Sequence, residues 1–299
     1  MNLVDEGRGM LWGLLGVCVF SLTLPVTRYI VPWFDPFFIG MGRVALAGLV
    51  SIPILLMARQ RLPDATQFKQ LLSVAFGIAL AFPVLSAWAM ETVPAAHGGV
   101  VLGILPLVTA LFGALVAHER PSVGFWLSAA LGSLAVIAFV IHEQPTGDMG
   151  WRTADLALLL AVISAAYSYA VGGRLSREMG GWQVICWATV VALPLSLPMA
   201  LWRLPDGATA IPLEGWLGFL YLALFSQLIG FFWWNKGLAL GGIARVSQVQ
   251  LTQTFITLAA ASMMLGEQVT GATIAFAVVI VLLVAVGRRM PIKHQSEIN

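Results

Sequence analysis

The chain has 299 residues, of which 16 are Lys or Arg and 14 are Asp or Glu, so 10% are charged, where a soluble globular domain carries about 25%. Hydrophobic residues make up 59% and the mean hydropathy is +0.90. So few charges cannot cover a water-facing surface, which excludes an ordinary cytosolic enzyme and a disordered chain. A net charge of +2 likewise leaves no basic face for nucleic acid.

In chain order, apolar runs bounded by charge, Gly or Pro fall at 9–28, 36–58, 70–91, 95–117, 121–141, 155–175, 182–202, 215–236, 244–265 and 269–288. Each is close to the length of about 20 residues that a helix needs to cross a hydrocarbon core of about 30 Å. An all-α membrane protein of ten transmembrane helices is therefore expected. The first run reads as a helix rather than a cleaved leader: Asp5 and Glu6 dilute the charge of Arg8, and no small-residue cleavage site follows. Cys18 and Cys186 lie inside apolar runs and have neither zinc nor disulfide spacing.

Lys and Arg favour the cytoplasmic side of a membrane protein. With the N-terminus inside, twelve fall on inner segments: Arg8, Arg59, Arg61, Lys69, Arg120, Arg174, Arg177, Lys236, Arg245, Arg288, Arg289 and Lys293. Three, Arg28, Arg152 and Arg203, fall outside, and Arg43 lies within a span. Both termini are expected in the cytoplasm.

The fourth and fifth runs match the ninth and tenth at an offset of 148, His118-Glu119 aligning with Gly266-Glu267. The same offset places Leu85–Ala96 on Trp233–Ala244. The chain therefore divides into two five-helix halves, 1–147 and 148–299. An odd number of spans inserts the second half upside down relative to the first, a construction principle of secondary transporters. Duplication for stability alone is the competing explanation.

These features resemble the ten-helix EamA type of the drug/metabolite transporter superfamily. The resemblance rests on the two halves, Arg43 after Pro36-Phe-Phe-Ile-Gly-Met-Gly, Glu119 and Glu267 closing the fourth helix of each half, and Leu105-Pro-Leu-Val-Thr-Ala-Leu-Phe. It spans residues 10 to 288, and within the family the chain looks most similar to the bacterial aromatic amino-acid exporters. One departure is Thr254-Phe255, which stands where the first half has Pro106-Leu107.

Arg43 lies about seven positions into its run, roughly 10 Å from the outer end. A guanidinium there costs about 2.5–3.5 kcal/mol unless it meets water or a partner. Either it snorkels outward or pairs with Glu91, or it faces a hydrated cavity and attracts a substrate carboxylate. The ninth run is the most polar: Ser247, Gln250, Thr254 and Thr257 share one helical face, joined by Gln248, Thr252 and Gln253. That face lines a cavity or bonds to neighbouring helices; Gln250, Gln253, Thr254 and Thr257 are taken as substrate contacts. Trp33, Trp126, Trp151, Trp182, Trp202 and Trp216 sit at run ends, as interfacial belts do. Among the remaining aromatics, Trp88, Tyr167 and Trp234 are expected to wall the substrate side chain. Ser21, Thr23, Ser164 and Ser168 are candidates to meet carbonyls freed by prolines within runs. Lys236 reads as a gate charge or an inner anchor.

No phosphate-binding loop, H-E-x-x-H zinc motif or G-x-S-x-G elbow occurs, so neither ATP hydrolysis nor an intramembrane enzyme is expected, and no cofactor or metal. Asp35, Glu91, Glu119, Asp155, Glu178, Glu214 and Glu267 all fall at or beyond run ends, which argues against a proton relay at mid-membrane. The expectation is a multi-pass carrier of the bacterial inner membrane that exports aromatic or large apolar amino acids and related metabolites by alternating access, through facilitated diffusion. Its partners are these small molecules and the bilayer, with no nucleic acid, and a monomer suffices. A drug or other metabolite exporter with proton or exchange coupling, and a non-transporting receptor or scaffold, remain as alternatives.

Overall fold

The computed structural model describes residues 3–116, 120–142, 153–288 and 292–293. Among these the regular structure is helical apart from a two-residue antiparallel bridge between Arg120-Pro121 and Ile292-Lys293, with short loops between helices. In lipid no water is available to satisfy a peptide group, so the helix, which satisfies its own, is the one open form that can span.

Among the described residues, seven helical segments are long and apolar enough to cross a membrane: α1 (Gly7–Ile30), α2 (Pro36–Met57), α3 (Ala65–Ala89), α4 (Ala95–Val116), and Thr153–Met179, Gly181–Trp202 and Leu213–Gly241. Between the fourth and fifth of them lies α5 (Val123–His142), so the last three are α6, α7 and α8 in chain order. Two further helices follow, α9 (Leu251–Leu265) and α10 (Gly271–Arg288). The apolar stretches of α5 and α10 are shorter, Trp126–Phe139 and Gly271–Leu283. Three of the ten expected spans, at α5, α9 and α10, are therefore not among the seven, and α9 is missing for its own reason. Its first turns are the helix Ile243–Val246 and a 3-10 turn over Ser247–Gln250, and its polar side chains dilute the hydropathy.

Helix boundaries follow local chemistry. Asp35 accepts from the amides of Phe37 (2.7 Å) and Phe38 (3.2 Å), with Pro36 in the first turn of α2. Asp64 and Gln67 form a capping box at the start of α3. Gly266, at φ 64°, ends α9 in the left-handed conformation that costs glycine little.

The helices pair reciprocally between the halves. The first helix of one half packs on the third of the other, α1 on α8 and α6 on α3; α2 packs on α7 and α5 on α10. The α1–α8 contact is close: a Cβ on Gly237 would stand 2.7 Å from the amide nitrogen of Gly13 and 2.8 Å from the carbonyl of Gly9. Small residues at such seams let backbones approach, and packing then holds helices together where lipid gives no hydrophobic force.

Four helices are irregular in their middles. α1 breaks at Leu22, and α4 tightens to a 3-10 turn over Leu102–Ile104. α3 and α8 widen to π-helix over Ala75–Ala81 and Tyr221–Ile229. The two π stretches end at Ala81 and Ile229, positions separated by the same 148 residues that relate the halves.

Candidate functional site

The irregular stretches converge. A small internal cavity is lined by Phe20 and Thr23 of α1, Arg43 of α2, Ile78 and Phe82 of α3, Leu102 and Leu105 of α4, Tyr169 of α6, Ser226 and Phe231 of α8, and Gln253 of α9. Ile78 and Ser226 belong to the two π stretches, Leu102 to the 3-10 turn, and Thr23 follows the break at Leu22. Within membrane proteins, non-helical backbone is tolerated where it lines such a space, and π-bulges gather at functional sites. The free space is about 10 Å³, that of a single water, so the site is contracted around its polar groups.

Arg43 is 2% exposed. Its Nε donates to Oε1 of Gln227 (3.1 Å), and the Nε2 of Gln227 donates to the Ile78 carbonyl (3.1 Å). One side chain of α8 thus joins the arginine to the widened backbone of α3. The Nη1 of Arg43 is buried without a hydrogen-bond partner. Beside it, the hydroxyls of Thr23 and Ser226 bond to each other (2.8 Å), tying α1 to α8. An aromatic cluster forms one wall: Phe20 and Phe231 have ring centroids 4.7 Å apart, and Tyr169 stands 5.9 Å from Phe231.

Of the residues singled out in the sequence, Arg43 and Gln253 line this cavity. Trp234 is fully buried one layer behind it, edge-on to Tyr169 (5.4 Å) and near Phe20 (6.3 Å). Thr254 packs against Gly103, and Thr257 donates to the Ser21 carbonyl (2.8 Å), so both sit at helix seams. Gln250 is buried in the 3-10 turn with both amide atoms unpartnered. Tyr167 and Trp88 stand elsewhere, 39% and 44% exposed, with Tyr167 against Phe112. Tyr167 precedes Tyr169 by two positions, about 200° around a helix, so only one of the two can face the cavity. Trp88 points outward between the buried Ala87 and Ala89.

Arg43 pairs with Gln227, whereas Glu91 is exposed, and partial burial and the nearby Asp35 raise its carboxyl above the ordinary value. Ser168 reaches the Ser73 carbonyl just ahead of the α3 π stretch (3.2 Å), while Ser21 and Ser164 bond within their own helices. Lys236 lies over the ring of Trp12 (3.9 Å). Glu119 and Trp151 lie outside the described residues, but Glu267 accepts from the amides of Ala95 and Ala96 (2.8 Å each), capping α4 from the other half.

Two groups escaped the sequence reading. Gln227 is a lone amide in an apolar run, and such an amide most often serves helix packing. Asp155, placed at a run end, is fully buried and bonds to His97 across the halves (2.7 Å), with its Oδ2 unpartnered. The signal for the pair was there: both are titratable residues just inside apolar runs.

The sequence profile of the EamA-like transporter family matches residues 7–141 and again 152–286. The chain is 43% identical over 282 residues to "Uncharacterized transporter YdeK" of Bacillus subtilis, covering 94% of this chain and 97% of that one. It is 24% identical to a "Probable amino-acid metabolite efflux pump" of Salmonella typhimurium, covering 89% of this chain and 90% of that protein. A solved crystal structure superposes with a TM-score of 0.64 at 19% identity, covering 94% and 96% of the two chains, a likeness of fold.

Proposed function

The chain belongs to the EamA-like transporter family of the drug/metabolite transporter superfamily, as an integral protein of the bacterial inner membrane, and from this premise we propose that it exports amino acids and related small metabolites. In this reading the chain makes ten spans in two inverted five-helix halves, 1–147 and 148–299, with both termini in the cytoplasm and the two-fold relation that alternating access uses. The double match of the family profile, the reciprocal helix pairing and the matched π stretches support this reading. The observation that carries it is the buried Arg43 with an unpartnered Nη1 in a cavity fed by both halves. A carboxylate there completes the guanidinium's bonding, and the Phe20–Phe231–Tyr169 wall takes an aromatic or large apolar side chain. The relative named as an amino-acid metabolite efflux pump agrees in substrate class.

Export follows the substrate's own gradient. Coupling to protons is the second reading, favoured by the buried His97–Asp155 pair. The test is flux of labelled phenylalanine in liposomes carrying the purified protein, with and without an imposed pH gradient. Saturable flux at equal pH, with no change in initial rate under the gradient, is expected. An accelerated rate would favour coupling, and no saturable flux of any amino acid or related metabolite would sink the export reading.

A further inference from the structure

Resting on the export reading above, we propose that the Arg43 cavity selects monocarboxylate anions with an apolar or aromatic tail over free amino-acid zwitterions. Such compounds are amino acids whose amine is acylated, or their 2-oxo and 2-hydroxy counterparts.

Charge balance carries the proposal. The Arg43 guanidinium is charged at neutral pH, and its one hydrogen bond goes to a neutral amide. None of the eleven lining residues is an Asp or Glu. The ion pairs found among the described side chains, His97–Asp155 and Arg203–Asp35, involve no lining residue. The protein's own groups thus leave one uncompensated positive charge in the site, and a buried charge is tolerated when it is paired and hydrogen-bonded. A monocarboxylate brings the site to neutrality. A zwitterion places its carboxylate on Arg43 and its ammonium in the same enclosed space, restoring the excess charge next to a like charge.

The ammonium would also need acceptors, and the lining offers only neutral ones, of which the Gln253 amide and the Tyr169 hydroxyl are the least engaged. Thr23 and Ser226 bond to each other, and the Ile78 carbonyl already accepts from Gln227. An oxo group needs no acceptor, and a hydroxyl or acylated amine, being neutral with a single donor, loses less on leaving water than an ammonium does. The apolar part of the lining, Phe20, Ile78, Phe82, Leu102, Leu105 and Phe231, suits an apolar tail.

The test uses the whole protein in liposomes at pH 7, with empty liposomes correcting for leakage. The probes share a phenyl tail: N-acetylphenylalanine and phenylpyruvate as anions, phenylalanine as zwitterion and phenethylamine as cation. The anions should half-saturate flux at concentrations about tenfold below phenylalanine, a difference of about 1.4 kcal/mol, and phenethylamine should not be carried. Arg43→Gln should erase the preference. Arg43→Lys, which keeps the charge, should retain it, and its loss in folded Arg43→Lys would contradict the proposal. Phenylalanine moving as well as the anions overturns the proposal and leaves amino-acid export standing. Flux of none of the probes overturns both.

Discussion

Arg43, Gln227 and the Ile78 carbonyl form one chain of hydrogen bonds from α2 through α8 to α3, so the charge at the centre can be altered without touching the arginine. Gln227→Glu would set a carboxylate 3.1 Å from the guanidinium Nε, where the amide oxygen now lies. The pair would be neutral and would repel an incoming carboxylate. The half-saturation concentration for an anionic substrate should rise by about tenfold or more, in keeping with the strength of charge-assisted bonds. Gln227→Leu instead leaves the Arg43 Nε and the Ile78 carbonyl unpaired, each at a cost of about 1–3 kcal/mol. It should lower the melting temperature of the purified protein, and an unchanged melt would remove Gln227 from its linking role. Arg43 was legible in the sequence because a charge within an apolar run is costly and rare. Gln227 was not, since a single amide in a span more often serves packing. Tyr167 and Tyr169 could not be separated from composition alone, because choosing between them requires knowing which face of α6 meets α8.

At the level of elements, most helices were legible from apolar run length, since the bilayer fixes that length and leaves the backbone little alternative. The interruptions were not. The π stretch of α3 begins two residues after Ser73, whose carbonyl Ser168 of α6 reaches from a distant part of the chain. The second π stretch, in α8, has no proline within it or following it to announce the break. The α1–α8 seam tests how far packing holds the fold. Gly237→Val would drive a side chain into the backbone of Gly9 and Gly13. It should destabilise by about 1–3 kcal/mol, the usual range for overpacking. Gly7→Ala, with nothing within 4 Å of the added carbon, should be neutral or slightly stabilising. Thermal melts of the two variants check this, and equal melts would mean that the seam yields without cost.

Over the whole molecule, the placement of charge carried more than its amount. Thirty charged side chains identified lipid as the solvent, and the basic ones set an expected orientation. The acidic ones were read as peripheral, and the fold qualifies this: Asp155 begins α6 yet is fully buried, because α4 of the other half covers it and supplies His97. Burial across halves cannot be read along one chain, since it depends on how the halves interleave. That interleaving makes the central cavity a joint product of both, and an exchange of its access between the two membrane faces is the core of the account. The most direct measurement is counterflow in liposomes. Vesicles loaded with an unlabelled anionic substrate and diluted into labelled substrate should accumulate label transiently above its outside concentration, and Arg43→Gln should lower the overshoot. Label that only equilibrates, or an overshoot untouched by loss of Arg43, would contradict an alternating-access carrier built around this cavity.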